Sequence, residues 1–133
     1  MKNLLLILFC CSLSTAYAQH NCTAMDFLVP SNYKASKGEP LMLEVTDVKD
    51  FRMTIFDGSG HKLYEVEINI AHAPEDVKDG RYFKTIDTGW TGDKDMNGNS
   101  IKAGRYFYAI DGECMDDKPV RRTGAVVLTK ANN

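Results

Sequence analysis

Side chains that could bind a metal ion alternate along one short stretch of the chain, Asp93-x-Asp95-x-Asn97-Gly98. This is the first half of a calcium-binding loop, in which oxygens at alternate positions point at one cation. The loop type is completed by a bidentate acid at its twelfth position, which here is Gly104 and offers no side-chain oxygen. Asp93, Asp95 and Asn97 are therefore weak metal candidates, and the sequence favours a turn at Asn97-Gly98.

The rest of the chain lacks the residue spacings that catalysis or cofactor binding requires. Its three histidines, His20, His61 and His72, are scattered among predicted loops and termini, without metal-site spacing. Neither a nucleophile elbow nor a phosphate-binding or dinucleotide-binding loop occurs. We therefore expect no catalytic residue and no cofactor, and we interpret the protein as not an enzyme.

The charge balance argues against nucleic acid as a partner. The chain has 16 basic and 18 acidic residues and a net charge of −2. A nucleic-acid-binding domain needs a basic face that displaces counterions from phosphates. The near-neutral balance predicts another class of partner.

The first residues have the organisation of a secretory signal. Lys2 precedes an apolar run over 4–13, and residues 16–18 offer the small-x-small sequence of a cleavage site. The run is too short to cross a bilayer as a permanent helix. We expect a signal peptide over 1–18, one mature domain over 19–133, and export to the periplasm, the outer-membrane surface or the medium.

Two cysteines, Cys22 and Cys114, follow the predicted signal peptide. Cysteine pairs in exported proteins commonly form disulfides. A bridge would close a loop of about 92 residues, which the chain-entropy model credits with roughly 4 to 5 kcal/mol. A reactive thiol is the alternative, but neither cysteine has a neighbouring His or a Cys-x-x-Cys context. We expect a Cys22–Cys114 disulfide.

Short segments of alternating apolar and polar residues run through the mature chain, and this period predicts half-buried strands. The stronger candidates are 41–45, 51–57, 64–70, 104–111 and 123–130, and the weaker ones are 27–29 and 81–86. The sequence "DGSGH" (57–61) predicts a hairpin between two of them, whereas 71–80 is predicted to be a loop with at most one helical turn. Strands of this number and spacing predict an all-β sandwich.

Two of these segments lack clean alternation. Residues 104–111 have aromatic side chains at successive positions, and 123–130 is β-branched at its centre. Both features predict central strands that are buried more fully than the alternating ones. Tyr106, Phe107 and Tyr108 could stack on a sugar or an aromatic ligand, but core packing is favoured because alternate residues of a central strand face the two layers.

Four motifs follow one another along the second half of the chain. They are "MTIFDGSGHKLYE" (53–65), Trp90 with Gly92, "NGNSIKAGRYFYAI" (97–110) and "RRTGAVVLTK" (121–130). In this order they resemble the gliding-motility-associated C-terminal domain of Bacteroidetes, and also the immunoglobulin-like domain of flagellar hook-capping proteins. The motif positions that matter most are Gly60, Trp90, Gly92, Gly98, Gly104, Tyr106 and Tyr108.

The resemblance implies an immunoglobulin-like antiparallel β-sandwich of about seven strands, in which those motif residues have structural roles. Members commonly end large exported proteins and act as a type IX secretion sorting signal, recognised by the outer-membrane translocon. We therefore expect a protein partner in the envelope or at the surface, with that translocon as one candidate. A module that binds carbohydrate or calcium is the alternative. The sequence leaves open the oligomeric state, and whether the domain is a sorting signal or a stand-alone binder.

Overall fold

The computed structural model describes residues 25–35 and 38–131. The predicted signal peptide and Cys22 lie outside the described residues. Strands form more than half of the described part, and one turn of 3-10 helix covers Pro74–Asp76. The nine strands of the described part are β1 Asp26–Leu28, β2 Asn32–Ala35, β3 Met42–Thr46, β4 Val48–Phe56, β5 Lys62–Asn69, β6 Val77–Lys78, β7 Arg81–Asp87, β8 Gly104–Cys114 and β9 Pro119–Lys130.

These strands form two sheets that pack face to face. The four-stranded sheet has the order β1-β3-β7-β6 and the five-stranded sheet the order β2-β9-β8-β4-β5. All pairs are antiparallel except the parallel pair of β2 and β9. This is the immunoglobulin-like division of strands, with A, B, E and D in one sheet and G, F, C and C′ in the other. The predicted fold class is confirmed, with nine strands instead of about seven.

The two sheets share one hydrophobic core because alternate side chains of each strand point inward. Leu43 and Val45 from β3 lie in the same buried cluster as Met53 and Ile55 from β4. Removing a side chain of this size from water contributes about 1.5–3 kcal/mol. The period-two pattern that predicted these strands is therefore also what holds the sandwich together.

The connection from β7 to β8 crosses between the sheets and carries the Trp90 side chain, which is 1% exposed. Its ring centroid lies 5.6 Å from that of Tyr33 and 6.3 Å from that of Tyr106. The Trp90 carbonyl accepts a 2.8 Å hydrogen bond from the Leu41 amide, and the buried Thr88 hydroxyl donates 2.7 Å to the Leu41 carbonyl. The crossover is thereby fixed to the start of β3.

Two expectations about the strands differ from the structure. The prediction that residues 104–111 and 123–130 are buried more fully than the alternating strands is wrong, because their outward side chains are exposed, with Phe107 and Val127 each 38% exposed. The outer face of the five-stranded sheet has no second layer over it in the described residues. The segment Asn32–Ala35 also forms a strand, β2, although its sequence has no strand pattern; it is held by parallel pairing with β9. Residues 25–35 and 38–131 contain no helix long and apolar enough to cross a membrane.

Candidate functional site

The stretch that resembles half a calcium loop is a hydrogen-bonded turn. One carboxylate oxygen of Asp95 accepts 2.9 Å hydrogen bonds from the backbone amides of Asn97 and Asn99. The Gly98 amide donates 3.1 Å to the Asp95 carbonyl, and Gly98 has φ 81°. Hydrogen bonds from the Asn99 amide, opposed by partial desolvation, lower the pKa of Asp95 below its ordinary value. The Asp95 carboxylate therefore stabilises the backbone of the turn.

The other two candidate ligands do not join Asp95 around a shared point. Asp93 and Asn97 are exposed, and the Asp93 carbonyl accepts the Ile101 amide at 2.8 Å. In the described part of the chain, no group of three or more His, Cys, Asp or Glu side chains is placed to hold a metal ion. The Met96 amide donates 2.9 Å to the Leu63 carbonyl, so the turn packs against the free edge of β5.

The remaining motif residues lie at turns and in the core. Gly60 is in the β4–β5 turn, where its amide donates 3.1 Å to the Asp57 carbonyl. The Tyr106 hydroxyl donates to the Lys102 carbonyl, an arrangement like the tyrosine corner of immunoglobulin-like domains. Gly104 begins β8, and a Cβ there would have no atom within 4 Å. Cys114 ends β8 and is buried, but its predicted partner lies outside the described residues, so the disulfide stays a prediction.

Gly92 is the motif glycine whose missing side chain matters most. It has φ 69°, and a Cβ there would lie 2.7 Å from Leu128 Cδ1 and 3.3 Å from Tyr33 Cε1. Both conditions favour glycine, since L-residues avoid this φ and the core has no room. The residue lets the crossover pass close under β9.

The outer face of the β9-β8-β4-β5 part of the five-stranded sheet presents side chains that the core does not use. We call it the recognition face. The inward residues of β4 and β8 include Met53, Ile55 and Ile110, so the alternate residues point outward. Its members are Arg52, Thr54, Phe56, Lys62, Glu65, Glu67, Arg105, Phe107, Ala109, Asp111, Arg121, Thr123, Ala125 and Val127.

One half of the recognition face is apolar. Phe56 and Phe107 are cross-strand neighbours on β4 and β8, and the guanidinium carbon of Arg105 lies 5.4 Å from the centroid of the Phe107 ring. Beside Phe107, a shallow hollow of about 440 Å³ lies over the small residues Ala109 and Ala125. An aromatic side chain with a stacked arginine beside a hollow is typical of binding surfaces.

The other half carries charges of alternating sign. Across the strands the order is Arg121, Asp111, Arg52, Glu67, from β9 to β5. Arg52 Nε donates 3.0 Å to Glu67, and an Arg121 nitrogen lies 3.4 Å from an Asp111 oxygen. The hydrogen bond and charge of Glu67 raise the pKa of Arg52, so the guanidinium stays protonated. These groups border an open cleft of about 500 Å³.

Beside this row, Lys62 Nζ donates a 2.8 Å hydrogen bond to Glu65. That hydrogen bond lowers the pKa of the Glu65 carboxyl below its ordinary value. Glu65 is therefore ionised and partnered at neutral pH, and Glu67 and Asp111 each lie beside an arginine. Charged side chains held in place in this way can fix the orientation of a bound partner.

The outer face of the four-stranded sheet differs in how its apolar residues are spread. Phe83 and Met42 are each 42% exposed, and Leu28 is 59% exposed. The row of Leu28, Glu44 and Thr85 lies between the rows of Met42 and Phe83, so Glu44 and Thr85 separate Phe83 from the other two apolar residues. Exposed apolar residues that stand singly are normal on protein surfaces. Phe83 is therefore a matched control for Phe107.

Sequence reasoning missed the recognition face because it assigned Phe107 to the core. The alternation of side chains along β8 offered a signal that the Phe107 ring is exposed. Phe107 shares its face with Arg105 and Asp111, and ionised side chains are rarely buried without a partner. The two charges therefore indicate that the Phe107 ring faces solvent, whereas Tyr106 and Tyr108 face the other way.

Comparisons with known proteins give a distant likeness only. No protein-family model and no curated protein sequence matches the chain. Among solved structures, the crystal structure of CopC from Methylosinus trichosporium OB3b is similar at 13% identity and a TM-score of 0.45, covering 81% of this chain and 93% of that one. Murine CRIg is similar at 11% identity and a TM-score of 0.34, covering 81% of this chain and 98% of that one. The fold assignment rests on the strand order described above.

Proposed function

We propose that the protein is a non-catalytic recognition module that binds a protein partner through the recognition face. The observation that supports this is the adjacency of Phe56, Phe107 and stacked Arg105 on the central strands. Aromatic residues and arginine dominate the energetics of protein interfaces, and a polar rim fixes their register. The charged half of the face supplies that rim.

The setting of this recognition is the bacterial envelope or the cell surface. The predicted signal sequence over 1–18 supports export, and the motif order from 53 to 130 supports the likeness to gliding-motility-associated C-terminal domains. In the sorting version of the proposal, the partner is the type IX translocon. In the stand-alone version, the partner is another envelope or surface protein.

Co-isolation from the source cells tests the binding face. Tagged chains carrying Phe107→Asp or Phe83→Asp are compared with the unaltered protein, and proteins retained from the envelope fraction are quantified by mass spectrometry. We expect the Phe107→Asp chain to lose at least one partner that the Phe83→Asp chain retains. Retention of the same proteins by both variants would contradict the proposal, provided that circular dichroism shows both to be folded.

A reporter fusion separates the sorting version from the stand-alone version. Residues 19–133 are fused behind a signal peptide and a reporter, in cells with an intact or an inactivated translocon. The sorting version predicts a reporter at the cell surface in the intact cells alone. A reporter that stays in the periplasm of both would remove the sorting version and leave the binding module.

A further inference from the structure

The charged row of the recognition face is complementary to itself when its order is reversed. From β9 to β5 it reads Arg121, Asp111, Arg52, Glu67, which is plus, minus, plus, minus. Read from β5 to β9 it is minus, plus, minus, plus. A copy of the same face laid on it in reverse order therefore places an opposite charge over every charge. Closed dimers use this kind of self-complementary patch about a two-fold axis.

A two-fold axis in the plane of the interface and parallel to the strands produces this reversal. Rotation about this axis lays β9 of one copy over β5 of the second copy, and β8 over β4. Each row of residues then faces the same row of the second copy. Arg121 then faces Glu67 of the second copy, and Asp111 faces Arg52 of the second copy. An axis perpendicular to the strands would instead lay the charged half over the apolar half, which would desolvate the charges without partners.

The other two rows fit the same axis, and their two charged residues at the β5 edge, Lys62 and Glu65, keep each other as partners. Phe107 pairs with Phe56 across β8 and β4. The reversal therefore places Phe107 of one copy against Phe56 of the second copy, and Phe56 against Phe107. Ala109 and Thr54 lie in the row between the rings and the charges. They are only 5% and 8% exposed, so neighbouring side chains already cover them, and both are small enough to let two sheets approach to about 10 Å. Aromatic pairs in such contacts stabilise an interface beyond the effect of the area that they bury.

We infer that the recognition face binds a second copy of this chain, forming a two-fold dimer in which the five-stranded sheets pack face to face. The inference rests on the proposed function, because it takes the same face as the binding surface and names its partner. Four strands and three rows make a small interface, so the dimer is reversible and depends on concentration. Arg105 lies at the apolar end of the face, where its guanidinium carbon is 5.4 Å from the centroid of the Phe107 ring.

Analytical ultracentrifugation of the mature protein tests the association. We expect a monomer–dimer equilibrium with a dissociation constant of about 10 to 100 µM, weakened about tenfold or more by Phe107→Asp and unchanged by Phe83→Asp. A sedimentation coefficient that remains that of a monomer up to about 1 mM would overturn the inference. A dimer that Phe83→Asp weakens and Phe107→Asp does not would overturn it as well.

A mixing experiment tests the register. Arg121→Glu alone places a negative charge opposite Glu67 of the second copy. Glu67→Arg alone places a positive charge opposite Arg121 of the second copy. Each variant by itself should dimerise about tenfold more weakly than the unaltered chain. A one-to-one mixture should recover the dimer, because both charge pairs are then opposite in sign. A mixture that is as monomeric as its components would exclude this arrangement.

The two proposals fail in different ways. A monomeric protein whose Phe107→Asp variant still loses envelope partners would remove the dimer and leave the recognition module. A dimer that Phe107→Asp dissociates, with no envelope protein lost, would keep the dimer and remove the envelope partner. Circular dichroism and urea unfolding of each variant show whether a lost association reflects a lost fold.

Discussion

The Tyr64 hydroxyl on β5 donates a 2.6 Å hydrogen bond to the carbonyl of Thr88, at the start of the crossover between the sheets. Burial, together with the nearby charge of Asp87, raises the pKa of Tyr64, so the hydroxyl keeps its proton at neutral pH. The bond joins the edge strand of the five-stranded sheet to the segment that positions Trp90. The crossover that positions Trp90 in the core therefore also holds β5, the edge strand of the recognition face.

Gly89 follows Thr88, and its substitution should reveal this support. Gly89 has φ 73°, and a Cβ there would lie 2.8 Å from the Tyr64 hydroxyl oxygen. We expect Gly89→Ala to lower the free energy of unfolding by about 2–4 kcal/mol, part from φ strain and part from displacing the hydroxyl. Tyr64→Phe should lower it by about 1–2 kcal/mol through the lost hydrogen bond.

A double-mutant cycle separates the two contributions. In the Tyr64→Phe background the Cβ of Ala at 89 no longer meets an oxygen, so Gly89→Ala should cost about 1 kcal/mol less there. Urea unfolding followed by the fluorescence of Trp90, the single tryptophan of the chain, measures all four proteins. Strictly additive losses would show that the two residues do not compete for this space.

Gly124 on β9 leaves room for the ring of Tyr108 on β8. The two residues are cross-strand partners, and a Cβ at Gly124 would lie 2.2 Å from the Tyr108 hydroxyl oxygen. We expect Gly124→Ala to lower the free energy of unfolding by about 1–3 kcal/mol, because the ring must move. Gly58→Ala, with nothing within 4 Å of its Cβ, is the matched control.

The control variant should stay within about 0.5 kcal/mol of the unaltered protein. Thermal or urea unfolding gives both values. Equal losses for Gly124→Ala and Gly58→Ala would mean that the Tyr108 ring does not lie over β9 as described.

The turn between β4 and β5 should make the fold sensitive to acid. Hydrogen bonds from the Ser59 hydroxyl and the His61 amide hold the pKa of Asp57 at about 2. The folded state thus favours the carboxylate, and its contribution to stability is full above pH 4 and is lost as the pH falls from about 4 to about 2.

Titration by NMR of the Asp57 side chain should give a midpoint at about 2. The Asp57→Asn variant should show a smaller change of unfolding free energy between those two pH values than the unaltered protein. A midpoint near 4, the ordinary value for an aspartate, would contradict the hydrogen bonding of this turn.

The disulfide between Cys22 and Cys114 remains a prediction with a direct chemical test. Peptide mapping of the exported protein under non-reducing conditions should recover the two cysteines in one linked pair, and alkylation of the native protein should label neither. Cys22→Ser should lower the free energy of unfolding by about 2–5 kcal/mol. Recovery of both cysteines in the alkylated form would contradict the bridge.

The strands could be predicted where the signal was local. Alternation between Phe51 and Ile55 located β4, and the glycines of "DGSGH" located the hairpin that joins β4 to β5. The strand Asn32–Ala35 could not be predicted, because its extended form depends on pairing with β9, almost a hundred residues later. Pairing over such a distance leaves no period in the short strand itself.

The recognition face was harder to predict for a different reason. A strand pattern tells which residues share a face, but whether that face is covered depends on the rest of the fold. Phe107 is apolar enough for a core. Only its position on the same face of β8 as Arg105 and Asp111 indicates that its ring faces solvent. Asp95 illustrates the opposite error, since its spacing suggests a metal ligand while its carboxylate binds the backbone.

Site-specific photo-cross-linking in the source cells tests most directly whether the recognition face is a binding surface. A photoreactive phenylalanine analogue is placed at Phe107 in one strain and at Phe83, of similar exposure, in another. We expect covalent products at position 107, with a product of twice the chain's mass reporting the dimer and a larger product reporting an envelope partner. No product at position 107, or equal products at both positions, would contradict the account.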